Sequence, residues 1–170
     1  MLKAKQAAAA LVDGEKERIA PEFAWFYRSL GVVAEWAQSS QVYRVGTART
    51  RIVNQAWQAE IAYTLTGEDT TFTGVKPRKA FDPATGGWGA WQLVARYEQL
   101  YLDPDSFSRG VTTAGTSVQR AKAYEAGVNW YLNPILRVST SFANTTFDKG
   151  AAIGDRPNEK VVTSRIQVSF

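Results

Sequence analysis

Charged and amide side chains recur at every second position in several segments of this 170-residue chain. In an extended backbone, that spacing directs them to one side. Guanidinium groups at such positions can bind phosphate, and paired carboxylates can transfer protons. We expect one continuous polar surface formed by Arg18, Glu22, Arg28, Glu35, Gln58, Glu60, Arg96, Glu98, Glu125, Arg137 and Arg165.

The chemistry open to this surface is limited by what the chain lacks. It contains no histidine and no cysteine, so the commonest general base and the usual zinc ligands are absent. An enzyme would therefore have to use a pair of carboxylates. The glutamates are better interpreted as ordinary charged residues of the polar surface. The sequence therefore predicts no enzyme, and no catalytic, metal-binding or cofactor-binding residue.

The charges of the predicted surface cancel, because it holds five arginines and five glutamates. For Arg96 and Arg165, we favour pairing with a glutamate on a neighbouring strand over binding of a solute. The excess positive charge lies in segments without periodicity, at Arg44, Arg49, Arg51, Lys76, Arg78, Lys79 and Arg109.

The elements that position these side chains are β-strands, since apolar and polar residues alternate with a period of two. We predict about seven antiparallel strands, which cover residues 19–28, 32–37, 54–65, 91–101, 123–132, 136–142 and 161–170. Strict alternation separates an apolar face from a polar one. The apolar face should hold Trp57, Ile61, Leu93, Val128, Val138 and Ile166, and the polar face Gln58, Arg96, Asn129, Ser139 and Arg165.

The last segment places Val162, Ile166, Val168 and Phe170 on one side and polar residues on the other. Alternation over about ten residues is typical of a transmembrane β-strand. A strand that ends on an aromatic residue resembles the C-terminal sorting signal of bacterial outer-membrane proteins. An ordinary amphipathic strand of a soluble sheet has the same period, so this segment alone leaves both interpretations open.

Turn lengths indicate a topology. Turns at residues 29–31 and 133–134 are predicted to be short, whereas those near Val45, at 103–119 and at 148–158 are longer. Bacterial barrels have short periplasmic turns and long extracellular loops. The long segment 69–87 falls on the short-turn side and breaks this rule. We expect residues 1–16 to be a loop remnant or a short helix, and residues 17–170 to be the C-terminal part of a barrel from a longer protein.

Composition narrows the class further. No apolar run approaches the length of a transmembrane helix, which excludes a helical membrane protein but leaves a barrel open. The isoelectric point of about 9.4 does not indicate nucleic-acid binding, because the cations are spread along the chain.

Several segments in order resemble the phosphate-selective porin O and P family. They are residues 14–22, 30–36, 56–59, 63–68, 74–77, 86–97 and 127–134. The resemblance implies an outer-membrane barrel of about 16 strands, usually trimeric, of which this chain supplies the last seven or so. It also implies that segment 69–87 is a long connection between strands that is characteristic of the family.

The resemblance implies a passive, water-filled channel in the bacterial outer membrane for small hydrophilic solutes, among them anions such as phosphate. The eleven residues of the polar surface are then its pore-lining candidates. Partners would be outer-membrane lipid, the transported solutes, two further copies in a homotrimer, and the barrel assembly machinery through Phe170. Nucleic acid is not expected. Two alternatives from the residues alone are a soluble lipocalin-like binding barrel and a structural outer-membrane barrel without a pore.

Overall fold

The computed structural model describes residues 9–169, which form one large antiparallel sheet with two excursions. The predicted all-β antiparallel fold is confirmed. The main strands are β1 (Ala10–Ile19), β2 (Glu22–Tyr27), β3 (Leu30–Val45), β4 (Ala48–Thr64), β7 (Ala90–Tyr101), β8 (Val118–Tyr131), β9 (Leu136–Lys149) and β10 (Glu159–Val168). The excursions hold the hairpin strands β5 (Thr70–Thr71) and β6 (Gly74–Val75), and the one-turn helix α1 (Asp105–Ser108).

The sheet order is β1-β3-β4-β7-β8-β9-β10, and β2 also pairs with β3. Strands β1 and β2 together form one edge, interrupted at Pro21, whose carbonyl accepts a hydrogen bond from the Trp36 amide at 3.1 Å. Proline lacks an amide donor and is tolerated at a sheet edge. Strand β10 forms the opposite edge, so the sheet is open within the described residues.

The N-terminal prediction is wrong in part. We expected a loop remnant or a short helix over residues 1–16, but residues 10–16 belong to β1. A register shift between Val12 and Lys16 breaks the period of two, so alternation fails although the backbone remains paired with β3. Residues 1–8 lie outside the described part of the chain, as does Phe170.

The connection at Val45 is also shorter than predicted. Strands β3 and β4 continue to Val45 and Ala48, which pair directly across Gly46 and Thr47. Gly46 has a φ of 62°, a conformation that favours glycine in a tight hairpin turn. The prediction ended the second strand at residue 37 because residues 38–41 are polar on both faces, and backbone pairing does not require an apolar face.

The two ends of the sheet differ. The end with the Arg28–Ser29 turn, residues 132–135 and the end of β10 is called the turn end. The other, with the Gly46–Thr47 turn and residues 102–117 and 150–158, is called the loop end. The excursion between β4 and β7 leaves from the turn end. Its hairpin supplies Val75, which packs with Ala90 and Tyr131 in a small buried cluster.

At the loop end, residues 102–117 complete the hydrogen bonding of β4 where β7 has stopped. Asp103 Oδ2 accepts a bond from the Val53 amide at 2.9 Å, and Asn54 Oδ1 accepts one from the Asp103 amide at 3.1 Å. In the described part of the chain, no helix has the length and apolarity needed to cross a membrane.

Candidate functional site

The strand register places the predicted polar residues, apart from Arg28, on one face of the sheet. Paired residues share a face, and Glu60, Arg96 and Glu125 form one row across β4, β7 and β8. This face is called the polar face. On it lie Arg18, Glu22, Glu35, Gln58, Glu60, Arg96, Glu98, Glu125, Arg137 and Arg165.

Arg28 is an exception to the predicted set. It lies in the turn after β2 with a φ of 51°, so strand alternation no longer determines where its side chain points. Its guanidinium lies 5.3 Å from the centroid of the Tyr27 ring. Tyr27 belongs to the opposite face, so the prediction that Arg28 shares the polar surface is wrong.

The opposite face is apolar, as the alternation predicts. The register places Trp57, Ile61, Leu93, Val128, Val138 and Ile166 on this apolar face. Ile61 is 48% exposed and Ile166 73% exposed, so the face has no second layer in the described chain. Apart from Arg28 at the turn end, its charged side chains among the described residues lie toward the loop end, at positions that include Asp13, Glu17, Arg44, Arg49, Arg51, Arg120, Lys122, Asp148 and Lys160.

Arg96 is held by glutamates of the polar face. One terminal nitrogen donates a close hydrogen bond to Glu125 Oε2, and Arg96 Nε lies 3.8 Å from Glu98 Oε2. The interpretation of Arg96 as a cross-strand partner is therefore confirmed. For Arg165 it is not, since the ion pairs within residues 9–169 do not include it and its register partner is Ser139.

The hairpin β5–β6 folds back onto the polar face at the turn end. Thr70 anchors it: its hydroxyl lies 2.8 Å from the Thr64 hydroxyl and donates to the Ser29 carbonyl at 2.9 Å. The Thr70 amide also donates to the Arg28 carbonyl at 2.7 Å. Since Thr70 is only 4% exposed, these bonds are shielded from water and fix the hairpin.

Gly31 makes this close approach possible. A Cβ at residue 31 would meet the Phe26 ring and Thr70 Cγ2, each at 2.9 Å. Such contacts are shorter than side chains tolerate, so the seat of the hairpin requires glycine. The ring of Phe72 packs edge-on against Phe26, with centroids 6.4 Å apart.

A chain of polar contacts leads from the hairpin across the sheet. Gln92 Nε2 donates to Thr70 Oγ1 at 3.4 Å, and Gln92 Oε1 accepts from Asn129 at 2.9 Å and from the Tyr131 hydroxyl at 3.2 Å. Arg137 continues the chain by donating to the Tyr131 hydroxyl at 3.2 Å and to Gln167 Oε1 at 2.7 Å. The Arg137 guanidinium is thus oriented without an acidic partner among these contacts.

Between the hairpin and the polar face lies a cavity of about 660 Å³. Its lining carries three cations, Lys76, Arg96 and Arg137, and one anion, Glu60. Neutral donors are also present, since Gln58, Asn129 and Gln167 line it as well. Such a lining can hold a small hydrated anion by hydrogen bonds and charge without forming a covalent bond.

Sequence reasoning missed Lys76 as a lining residue. It lies just after β6, in a segment where apolar and polar residues do not alternate. Odd–even alternation therefore gives no information about where its side chain points. The signal available was the length of the excursion alone, since long loops in a compact domain are often functional. The described residues also hold no cluster of acidic side chains suited to a metal ion.

Comparison with known proteins agrees with this geometry. The family described as Phosphate-selective porin O and P matches residues 3–170. Porin O from Pseudomonas aeruginosa is 32% identical over 100 residues, which cover 56% of this chain and 22% of that protein. The match thus covers about a fifth of the length of this curated relative. Because the match covers nearly every residue, the chain belongs to the phosphate-selective porin O and P family.

Proposed function

We propose that this chain forms the C-terminal wall of an outer-membrane porin through which small hydrophilic solutes diffuse passively. The observation that carries the proposal is the division of one sheet into a polar face with a charged cavity and an apolar face without charge across its middle. Water on one side and lipid on the other favour this division in a transmembrane barrel. Family membership supports the bacterial outer membrane as the location.

In this proposal, residues 10–169 supply about seven strands, with β1 and β2 counted as one, of a larger barrel of about 16. The two open edges of the sheet support this, because lipid does not tolerate unpaired backbone groups. The strands that are absent here would close the wall. The full-length protein would assemble as a homotrimer, and the barrel assembly machinery would bind its C-terminal segment through Phe170.

Solute preference follows from the lining. The ten polar-face candidates would face the pore, and their charges nearly cancel. Lys76 adds a cation to the cavity that Arg137 also lines, which makes the turn end of the wall the most attractive part for anions. We propose a mild anion preference from this part of the wall, with phosphate among the solutes and no enzymatic activity. The alternatives of a soluble lipocalin-like barrel and of a barrel without a pore have no support in the family match.

The test is conductance of the full-length porin in a planar lipid bilayer. We expect stable channels with a current proportional to voltage, because ions diffuse passively through a water-filled pore. With a salt gradient, the reversal potential should indicate mild anion preference. Absence of channels, or a strong preference for cations, would refute the proposal.

A further inference from the structure

The apolar face carries a tier of aromatic rings just before its first charged residues. Trp57 and Tyr97 pack with centroids 4.9 Å apart, and Tyr97 and Tyr124 with centroids 4.7 Å apart. Trp36 pairs with Trp57, and Phe142 lies on the same face of β9. Aromatic rings prefer the boundary between hydrocarbon and water, so this tier marks a membrane interface if the sheet spans the membrane.

Cations follow directly beyond this tier, toward the loop end. Lys122 pairs with Gln99, one step beyond Tyr124 and Tyr97 in their strands, and Lys160 pairs with Asn144. Neither lysine is part of an ion pair among residues 9–169. Arg120 is the next outward residue on β8, where it lies 3.6 Å from Asp148 Oδ2 and over the Tyr101 ring.

The position of these cations excludes a role in the pore. They lie on the apolar face, whereas the cavity lies on the polar face, so a solute in the pore cannot reach them. Their long side chains can run along the apolar surface and place the charge at the lipid headgroups. The ammonium groups of Lys122 and Lys160 can donate to a phosphate ester, and their register partners Gln99 and Asn144 add side-chain amides.

We propose that Lys122 and Lys160, with Arg120, form a binding site for the phosphate groups of an anionic membrane lipid at the loop end of the wall. Because bacterial barrels direct their long loops to the cell exterior, the loop end would lie at the outer leaflet, whose lipid would be a phosphorylated glycolipid. The inference rests on the proposed function, because it needs the apolar face to contact lipid. It assigns a ligand to residues that the channel itself does not use.

The test uses the full-length porin purified in detergent, with a diphosphorylated lipid A as the probe. Binding is measured as lipid retained per protein and as the lipid-induced shift in the unfolding temperature. Lys122→Gln with Lys160→Gln should weaken binding about tenfold at low salt, since each cation near anionic headgroups contributes favourably. Conductance of the double variant should equal that of the wild type.

The matched control removes two lysines elsewhere, Lys16→Gln on the polar face and Lys79→Gln in the excursion. It should bind the lipid as the wild type does. Equal binding by all three proteins would overturn the proposal, as would equal binding of the dephosphorylated lipid. A shift from inorganic phosphate that the Lys122→Gln, Lys160→Gln variant loses would identify a free-phosphate site at these lysines and also overturn the lipid assignment. If the wild type forms no channel in a bilayer, the proposed function fails instead.

Discussion

The hydroxyl oxygens of Thr64 and Thr70 lie 2.8 Å apart, and this contact joins the end of a sheet strand to the hairpin that covers the polar face. Both residues are buried, Thr64 completely. The same Thr70 hydroxyl also donates to the Ser29 carbonyl, so one side chain connects three segments of the turn end. The shape of the cavity therefore depends on a few hydrogen bonds rather than on a large apolar core.

Thr70→Val should release the hairpin. Valine keeps the volume but leaves the Thr64 hydroxyl and the Ser29 carbonyl without this partner, at a cost of about 1–3 kcal/mol. We expect faster tryptic cleavage after Arg78 or Lys79 and a larger single-channel conductance. Thr73→Val, at the exposed hairpin tip, is the control and should change neither. Conductance unchanged in Thr70→Val would show that the hairpin does not restrict the pore.

Gly31→Ala should displace the same hairpin by a different route. Its added methyl group would overlap Phe26 and Thr70 Cγ2, so the hairpin must move away from the sheet. Thr70→Ser in the same protein removes Cγ2, keeps the hydroxyl and should restore part of the wild-type conductance. Gly115→Ala, where the nearest atom lies 3.6 Å from the new Cβ, is the matched control. A wild-type conductance in Gly31→Ala would contradict this packing argument.

Lys76→Gln should reduce anion preference, because it removes one of three cations from the cavity lining. Measured as a reversal potential under a salt gradient, the shift should be toward cations. Lys79→Gln removes the same charge from a side chain that donates to the Thr85 carbonyl outside the cavity lining. Equal shifts in both variants would mean that only the overall charge matters.

Replacing Arg96 and Arg165 together by alanine should change ion selectivity only modestly. Arg96 is already neutralised by Glu125 and Glu98, and Arg165 lies at the edge strand beyond the cavity lining. The measurement is phosphate conductance of the full-length double variant. Loss of most of that conductance would show that the two arginines form a binding ladder.

Much of the fold could be predicted because alternation is a local property. The separation of Leu93 from Arg96 and of Ile61 from Gln58 onto opposite faces follows from parity alone, and the register agrees with it. The prediction was wrong at positions where odd–even alternation does not determine the face on which a side chain lies. Arg28 lies in a turn, β1 contains a register shift, and the strands that meet at the Gly46 turn contain segments that are polar on both faces.

The candidate site was less predictable than the fold. Its cavity depends on contacts between residues far apart in sequence, such as Thr70 with Gln92 and Arg137 with Gln167. No periodicity of the excursion indicates that it folds inward. The predicted cancellation of five arginines and five glutamates also omitted Lys76, which the hairpin brings to the polar face.

The most direct test of the account is the accessibility of single cysteines in the full-length porin, since this chain contains no cysteine of its own. Gln58→Cys and Asn129→Cys lie on the polar face, and Ile61→Cys and Val128→Cys on the apolar face. A charged, water-soluble thiol reagent should reduce conductance in the first pair and leave the second pair unchanged. Block of the apolar-face pair, or of neither pair, would contradict the assignment of the polar face to a water-filled pore.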